Sequence, residues 1–252
     1  MFGKNKLMKQ TDAPASGFLR VKEIFPTIQG EGPLAGTPST FVRLAGCNLK
    51  CWFCDTDFDV KVPTPLCSVQ EVVDMCVAEG HKLVVLTGGE PLMQDVAPLI
   101  LALRKNNMQV QIETAGTVWP ATLTADVMCP PCDVTSSDLD TLIVVSPKTP
   151  KIHPAVERWA TAYKYIVSTG GYFTEKGIPC FNTQAESGRG SPLFTPAIIK
   201  KEEIYMQPME AYTDRNQPLK LATKANVDLA VALCMKHGYR LSLQLHKILD
   251  MR

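Results

Sequence analysis

Leu83-Val84-Val85-Leu86-Thr87-Gly88-Gly89-Glu90-Pro91, followed after a helical interval by Val110-Gln111-Ile112-Glu113-Thr114-Ala115-Gly116, sets the fold class. Each run is apolar or alternating and closes on polar and glycine residues, while residues 95–107 between them carry apolar positions at helical spacing. A strand, a helix and a second strand joined in this way imply a right-handed crossover and a parallel sheet. The unit recurs outward in both directions. Upstream, Ser68 is suited to cap a helix running to about Gly80, with Val69, Val72, Val73, Cys76 and Val77 on one face. Residues 40–45 read as a strand before it, and residues 19–27 alternate as a half-buried strand ending in Ile28-Gln29-Gly30-Glu31-Gly32-Pro33.

Downstream, residues 141–145, 163–167, 201–206 and 239–244 read as strands, and a helix from about Pro218 to His237 stops at Gly238. Residues 119–140 read as an irregular insertion, and the Gly-, Ser-, Thr- and Pro-rich stretch 170–196 as a mobile loop. These units are too few for a closed eight-fold barrel. The expected fold is α/β, an open partial (β/α)-barrel of about six parallel strands. Every strand, the first included, is expected to deliver its polar end to one rim, where parallel α/β folds bind ligands. A single domain over residues 19–252 follows a polar tail, residues 1–18.

The bulk properties exclude several classes of function. The 252 residues are 45% hydrophobic, enough for a full core, and 26 basic residues against 25 acidic ones leave a net charge of +1. No global field recruits nucleic acid or an anionic membrane. The first 17 residues carry Lys4, Lys6 and Lys9 but no apolar core of a leader, and no run of 18 apolar residues occurs, so a soluble, cytoplasmic protein is expected. Nine cysteines in this length are too sparse and uneven for a secreted disulfide scaffold. Cys67, Cys76 and Cys234 sit among apolar neighbours and read as small core residues.

Three cysteines stand apart: Cys47-Asn48-Leu49-Lys50-Cys51-Trp52-Phe53-Cys54, a C-x3-C-x2-C spacing directly after a strand. Three thiolates hold a four-iron cubane with one iron left open to a ligand, whereas a structural site would close that position. Half of a zinc site is the competing reading, although four-cysteine zinc sites usually show two pairs. Cys129-Pro130-Pro131-Cys132 supplies such a pair and Cys180 lies beyond it, but no fourth ligand is evident. A turn with incidental thiols and an auxiliary metal site both remain open there. The same holds for Arg43, a ligand or a strand-edge charge; for His246, a ligand or a core histidine; and for Thr56, a ligand or a turn hydroxyl.

The three-cysteine motif, with an aromatic residue before its last cysteine, resembles that of the radical S-adenosylmethionine (SAM) enzymes. A longer ordered set resembles the 7-carboxy-7-deazaguanine synthase family of 7-deazapurine (queuosine) biosynthesis: residues 25–32, Arg43 to Cys47, Phe53 to Thr56, Thr87 to Pro91, Glu113 to Gly116, Ser146 to Lys148, Gln207 to Met209 and 241–247. The resemblance covers residues 21–252 and implies the roles. A [4Fe-4S] cluster on Cys47, Cys51 and Cys54 would reduce SAM to a 5′-deoxyadenosyl radical. That radical would take hydrogen from C6 of 6-carboxy-5,6,7,8-tetrahydropterin, whose ring contracts with loss of ammonia, SAM being regenerated. Phe53, Gly89, Glu90, Glu113, Ser146, Pro147 and Lys148 would hold SAM.

Ile28, Gln29, Gly30, Glu31, Arg43, Thr87, Gln207 and His246 would hold the pterin, with the terminal carboxylate of Arg252, and Thr56 a Mg2+ ion. An electron donor such as flavodoxin or ferredoxin and a homodimer are also implied. Two rival readings stay open: a radical-activating enzyme acting on a glycine of a partner protein, and a non-catalytic metal-binding scaffold.

Overall fold

A computed structural model describes residues 7–54, 56, 64–128, 141–181, 183–184, 189–198, 200–211 and 220–251. The strands are β1 (Phe18–Ile28), β2 (Pro38–Leu44), β3 (Leu66–Ser68), β4 (Leu83–Gly88), β5 (Gln109–Thr114), β6 (Leu142–Val145), β7 (Ala162–Val167), β8 (Tyr172–Phe173), β9 (Pro179–Phe181), β10 (Arg189–Pro192), β11 (Ile204–Pro208) and β12 (Arg240–Leu241). The helices are α1 (Val69–Glu79), α2 (Ala97–Lys105), α3 (Ala125–Met128), α4 (Pro154–Trp159), α5 (Lys220–His237) and α6 (Leu245–Ile248). Among the described residues, no helix is long and apolar enough to cross a membrane.

The main sheet runs β12-β11-β7-β6-β5-β4-β2-β1-β3. Every pairing from β2 to β12 is parallel, so the six expected strands are present, with a two-residue seventh at the edge. Leu83 to Leu86 are buried, as a strand covered on both faces requires. Helices α1, α2 and α5 pack outside it, burying Val72, Val73, Cys76, Leu99, Ile100, Leu103 and Ala230 against Leu44, Leu86, Ile112, Ile143 and Tyr165. Cys76 and Cys234 are buried, and the half-buried Cys67 packs on the same core. Helix α1 opens on the Ser68–Glu71 capping box and closes on Gly80 at φ 75°.

Several expectations are corrected. Strand β1 runs antiparallel to β2, so its glycine-rich end pairs beside the start of β2 and reaches the opposite rim from the other strands. Residues 29–31 then enter the open barrel from that side. Leu245 N–H donates to the carbonyl of Gly30 (3.2 Å), and Glu31 meets Lys164 of β7 although four strands separate β1 from β7 in the sheet. Only a strongly curved sheet brings those groups together.

The stretch expected as a mobile loop holds a second, antiparallel sheet, β10-β9-β8, turned at Gly177 (φ 74°). A positive-φ glycine between short strand-forming runs is a hairpin signal, here masked by the polar composition around it. The strand expected over 239–244 is only β12, and α6 follows it; residues 201–203 form a 3-10 turn before β11. Helices α3, α4 and α6 and strand β3 were not anticipated. Residues 7–17, read as tail, are mostly exposed, but Met8 is buried with its N–H donating to the Cys47 carbonyl (2.8 Å), and the Ser16 hydroxyl donates to Asp95 (2.5 Å). Cys129 and Cys132 lie outside the described residues.

The cysteine loop is set on the end of β4 by backbone contact. Gly89 N–H donates to the carbonyl of Leu44 (3.1 Å) and Glu90 N–H to that of Gly46 (2.9 Å). A Cβ on Gly89 would lie 1.9 Å from the Gly46 carbonyl oxygen, an impossible approach to rigid backbone. Gly36, at φ 93° with nothing near its Cβ position, offers the contrast of conformational cost without collision. Gly36→Ala should therefore cost about 1 kcal/mol, and Gly89→Ala about 3 kcal/mol or more, by chemical denaturation of the two variants. Equal costs would mean that the loop moves away from β4 freely.

Candidate active site

The carboxyl ends of the parallel strands and the cysteine loop enclose one cavity of about 400 Å³. Read across the sheet, its wall takes Arg43 from β2, Thr87, Gly88 and Gly89 from the end of β4, Glu113 to Ala115 from β5, Ser146 and Lys148 after β6, Lys164 and Ile166 from β7, and Gln207 to Glu210 from the end of β11. The cysteine loop contributes Cys47, Cys51, Phe53 and Cys54, with Thr56 just beyond. Gln29 and Glu31 close one side, and Gln244, His246 and Lys247 the last. Of the residues singled out in the sequence, Ile28, Gly30, Glu90 and Pro147 do not line the cavity, and Arg252 lies outside the described residues.

Three of these four support the wall from behind. Glu90 is buried with its carboxylate accepting from the Thr114 hydroxyl (2.6 Å), Ala115 N–H (2.8 Å) and Leu92 N–H (3.1 Å). It thus ties the end of β5 to the turn after β4. Burial raises its pKa, and those three hydrogen bonds and Lys148 oppose the rise. A Cβ on Gly30 would strike His246 Nδ1 at 2.2 Å, so glycine is needed for the histidine to sit where it does. Pro147 is buried between the two lining residues Ser146 and Lys148.

At the cysteine end, burial first and then Glu90 push the Cys47 thiol up to about 12, with Cys51 and Cys54 adding to the rise and Leu49 N–H opposing it. Such a thiol stays protonated until a cation replaces its proton. Lys148 lies among the three cysteines: desolvation lowers its pKa, while Cys51, Cys54, Cys47 and Glu90 raise it. Among the described residues no three His, Cys, Asp or Glu side chains close on a single ion. Three thiols spread along one wall suit a polynuclear cluster, in which each thiolate binds a different iron. Gly88 and Gly89 line the cavity beside them, and their missing side chains make room for the backbone of Leu44 and Gly46.

At the opposite end a polar lattice lies inside the barrel. Glu31 is ion-paired with Lys164, both buried, and its Oε1 accepts from Gln207 Nε2 (3.1 Å) and Gln244 Nε2 (2.8 Å). Gln29 accepts from Glu31 N–H (3.1 Å) and donates to Glu113 (3.0 Å), which also receives Thr87 (3.4 Å) and Gln111 (3.3 Å). Burial raises the pKa of Glu113 against the pull of those amides, of Thr87 and of Arg43. The carboxylates fix the amide orientations, since a reversed amide would set oxygen against oxygen. Gln207 Oε1 is left buried without a hydrogen-bond partner among the described residues.

Arg43 is half-buried. Its Nε donates to Glu23 (2.7 Å), Nη1 donates to the Thr56 hydroxyl (3.3 Å), and the guanidinium lies over Phe25 at 5.6 Å. Arg43 and Thr56 therefore occupy one corner. Sequence reasoning missed Lys164 and Gln244. The signal for Lys164 was the one that flagged Arg43: a lone cation in an apolar strand, Ala162-Tyr163-Lys164-Tyr165-Ile166-Val167. Gln244 stands in a strand-like run whose end is helical and gave no such signal.

Fold and cavity define the class: a three-cysteine site at the carboxyl rim of a partial parallel barrel is that of a radical SAM protein. The model of the Radical SAM superfamily matches residues 42–142. A 7-carboxy-7-deazaguanine synthase of Rhodospirillum rubrum is 38% identical over 250 residues, 99% of each chain, and one of Rickettsia prowazekii is 35% identical over 99% of this chain and 95% of its own. The crystal structure of QueE from Escherichia coli shares the fold, with a TM-score of 0.59 at 23% identity over 94% of this chain and 98% of that one. This chain belongs to the 7-carboxy-7-deazaguanine synthase family.

Burial, with Lys247 nearby, pulls Lys164 down to about 7. A lysine whose pKa is lower folded than unfolded binds fewer protons when folded, so stability rises with pH between about 7 and the ordinary lysine value near 10.4. Compared with the charge-free Glu31→Gln/Lys164→Met variant, the parent should gain stability across that window in denaturation curves taken at successive pH. A difference that falls with pH would show that Glu31 keeps the Lys164 proton to high pH.

Proposed function

We propose that this chain carries out the ring contraction of 6-carboxy-5,6,7,8-tetrahydropterin to 7-carboxy-7-deazaguanine with loss of ammonia, a radical SAM carbon–nitrogen lyase reaction in which SAM is used catalytically and Mg2+ assists. The observation that carries the reading is one cavity joining a three-cysteine end to a carboxylate–amide end. When bound, a [4Fe-4S] cluster and SAM supply one-electron reduction and hydrogen-atom abstraction. The protein's part is to hold and orient. Cys47, Cys51 and Cys54 bind the cluster and leave one iron for SAM. The Gly89 backbone receives the methionine end of SAM on the turn that Glu90 ties down. Phe53, Glu113 and the Ser146-Pro147-Lys148 turn hold its remaining length.

Gln29, Glu31, Thr87, Gln207 and His246 take the pterin, with Ile28 and Gly30 shaping their loop and the carboxylate of Arg252 as a further contact. Gln207 stands on the cavity wall with its amide held on Glu31. Arg43 offers a planar fork to the substrate carboxylate, and Thr56 beside it supplies one oxygen to Mg2+, which takes few protein ligands. The whole of residues 19–252 acts as one domain. An electron donor of the flavodoxin or ferredoxin kind, a homodimeric assembly and a cytoplasmic setting complete the reading.

Anaerobic incubation with the pterin, SAM, Mg2+ and a reductant tests it. Deazapurine formation without net consumption of SAM is expected. No product, or radical transfer to a glycine in a partner protein, would refute it. Cys51→Ala should lose both cluster and SAM cleavage, because two thiolates cannot hold the cubane with its open iron in place. Thr56→Ala should raise the Mg2+ concentration for half-maximal turnover while leaving the cluster spectrum unchanged, and Thr56→Ser should restore most of the response. An identical Mg2+ titration in parent and alanine variant would remove Thr56 from the metal.

A further inference from the structure

The segment after β9 grips the cysteine loop. Thr183 is buried; its carbonyl accepts from Trp52 N–H (3.1 Å), and its hydroxyl donates to the Lys148 carbonyl (2.5 Å). Phe181 packs on Phe53 with ring centroids 5.8 Å apart. Gln184 makes the most specific contact. Its Oε1 accepts from Lys50 N–H (2.8 Å), and its Nε2 donates to the Cys51 sulfur (3.4 Å) and to the Thr183 hydroxyl (2.7 Å). The amide cannot be reversed, because that would set its NH2 against the Lys50 N–H. The Lys50 backbone therefore aims two amide hydrogens, one of them at the middle cysteine of the motif.

We propose that Gln184 is a positioning residue that sets the reduction potential of the cluster by an N–H···S hydrogen bond to Cys51. This rests on the cluster assignment made above. Hydrogen bonds to cysteine sulfur are among the groups that set a cluster's potential: a donor favours the reduced, more negative form and raises it. Gln184 itself is exposed, so the bond lies at the rim of the site and contributes little to folding. What it changes is charge density on one thiolate, and with it the ease of accepting the electron that the reaction needs.

Two substitutions separate this role from a purely mechanical one. Gln184→Glu keeps an acceptor for Lys50 N–H but has no hydrogen for Cys51; Gln184→Leu loses both contacts without adding charge. The experiment is a redox titration of the reconstituted proteins followed by electron paramagnetic resonance, with iron content measured alongside. Both variants should retain iron and shift the midpoint to more negative potential.

A shift in Gln184→Glu alone would trace the effect to added charge, and a shift in Gln184→Leu alone to loss of the Lys50 clasp; either overturns the proposal. Unchanged midpoints in both, or loss of iron from both, overturn it too. A parent protein that forms no reducible cluster fails at the earlier step: it refutes the cluster assignment and carries this inference down with it.

Discussion

Backbone contact between the cysteine loop and the turn after β4 is the constraint on which the site depends. Gly46 and Gly89 meet so closely that neither a side chain on Gly89 nor a displaced loop is compatible with the paired N–H···O bonds from Gly89 and Glu90. Gly88, at φ 131°, brings the same strand end against Leu44. Cys47 follows immediately, so its sulfur is positioned by main chain rather than by side-chain packing. The buried Glu90 carboxylate then carries the geometry to Thr114 and Ala115 on β5. One acidic residue thus fixes two adjacent strand ends relative to the first cysteine. Its cost is desolvation, offset by three donors and the nearby Lys148.

A second constraint works from the far side. Because β1 is antiparallel, its glycine-rich continuation enters the barrel opposite the cysteine loop and needs charged and amide groups to meet it. Glu31 provides the centre, with Lys164, Gln207 and Gln244 converging on it from β7, β11 and the segment before α6. A buried ion pair of this kind is weak evidence for stability, since desolvation offsets attraction. Its evident consequence is orientation. The fixed carboxylate sets the orientation of each amide, and a flexible apolar lining could not do that.

Much of this was legible in the sequence because it rests on local rules. The βα rhythm fixed the six parallel strands, the Ser68–Glu71 box marked the start of α1, and the C-x3-C-x2-C loop followed a strand end as spacing demanded. What escaped depends on direction and on contacts distant in sequence. A half-buried strand looks the same read parallel or antiparallel, so nothing local placed Gln29 and Glu31 on the opposite rim. Lys164 carried the signal of a lone cation in an apolar strand, but nothing local named its partner at residue 31. The second sheet was hidden by composition: Gly177 closes a real turn, but Ser, Thr and Gly around it resemble a linker.

That hairpin alters how the cysteine loop should be understood. A loop with three thiols, one of them pushed up to about 12 by burial, has little reason of its own to hold a single conformation before metal arrives. Here it is held on both sides. Gly46 docks on the β4 turn, and Trp52 and Lys50 hand their backbone N–H groups to Thr183 and Gln184. Residues 7–8 add a third contact at Cys47, where the Met8 side chain fills the space that a Cβ on Gly46 would take. These contacts use chiefly main-chain groups of the loop, Gln184 also reaching the Cys51 sulfur, and Cys47, Cys51 and Cys54 line the cavity. Metal insertion at these thiols would then exchange protons for iron with little chain entropy left to lose, which would favour assembly of a cluster over reorganisation of the loop.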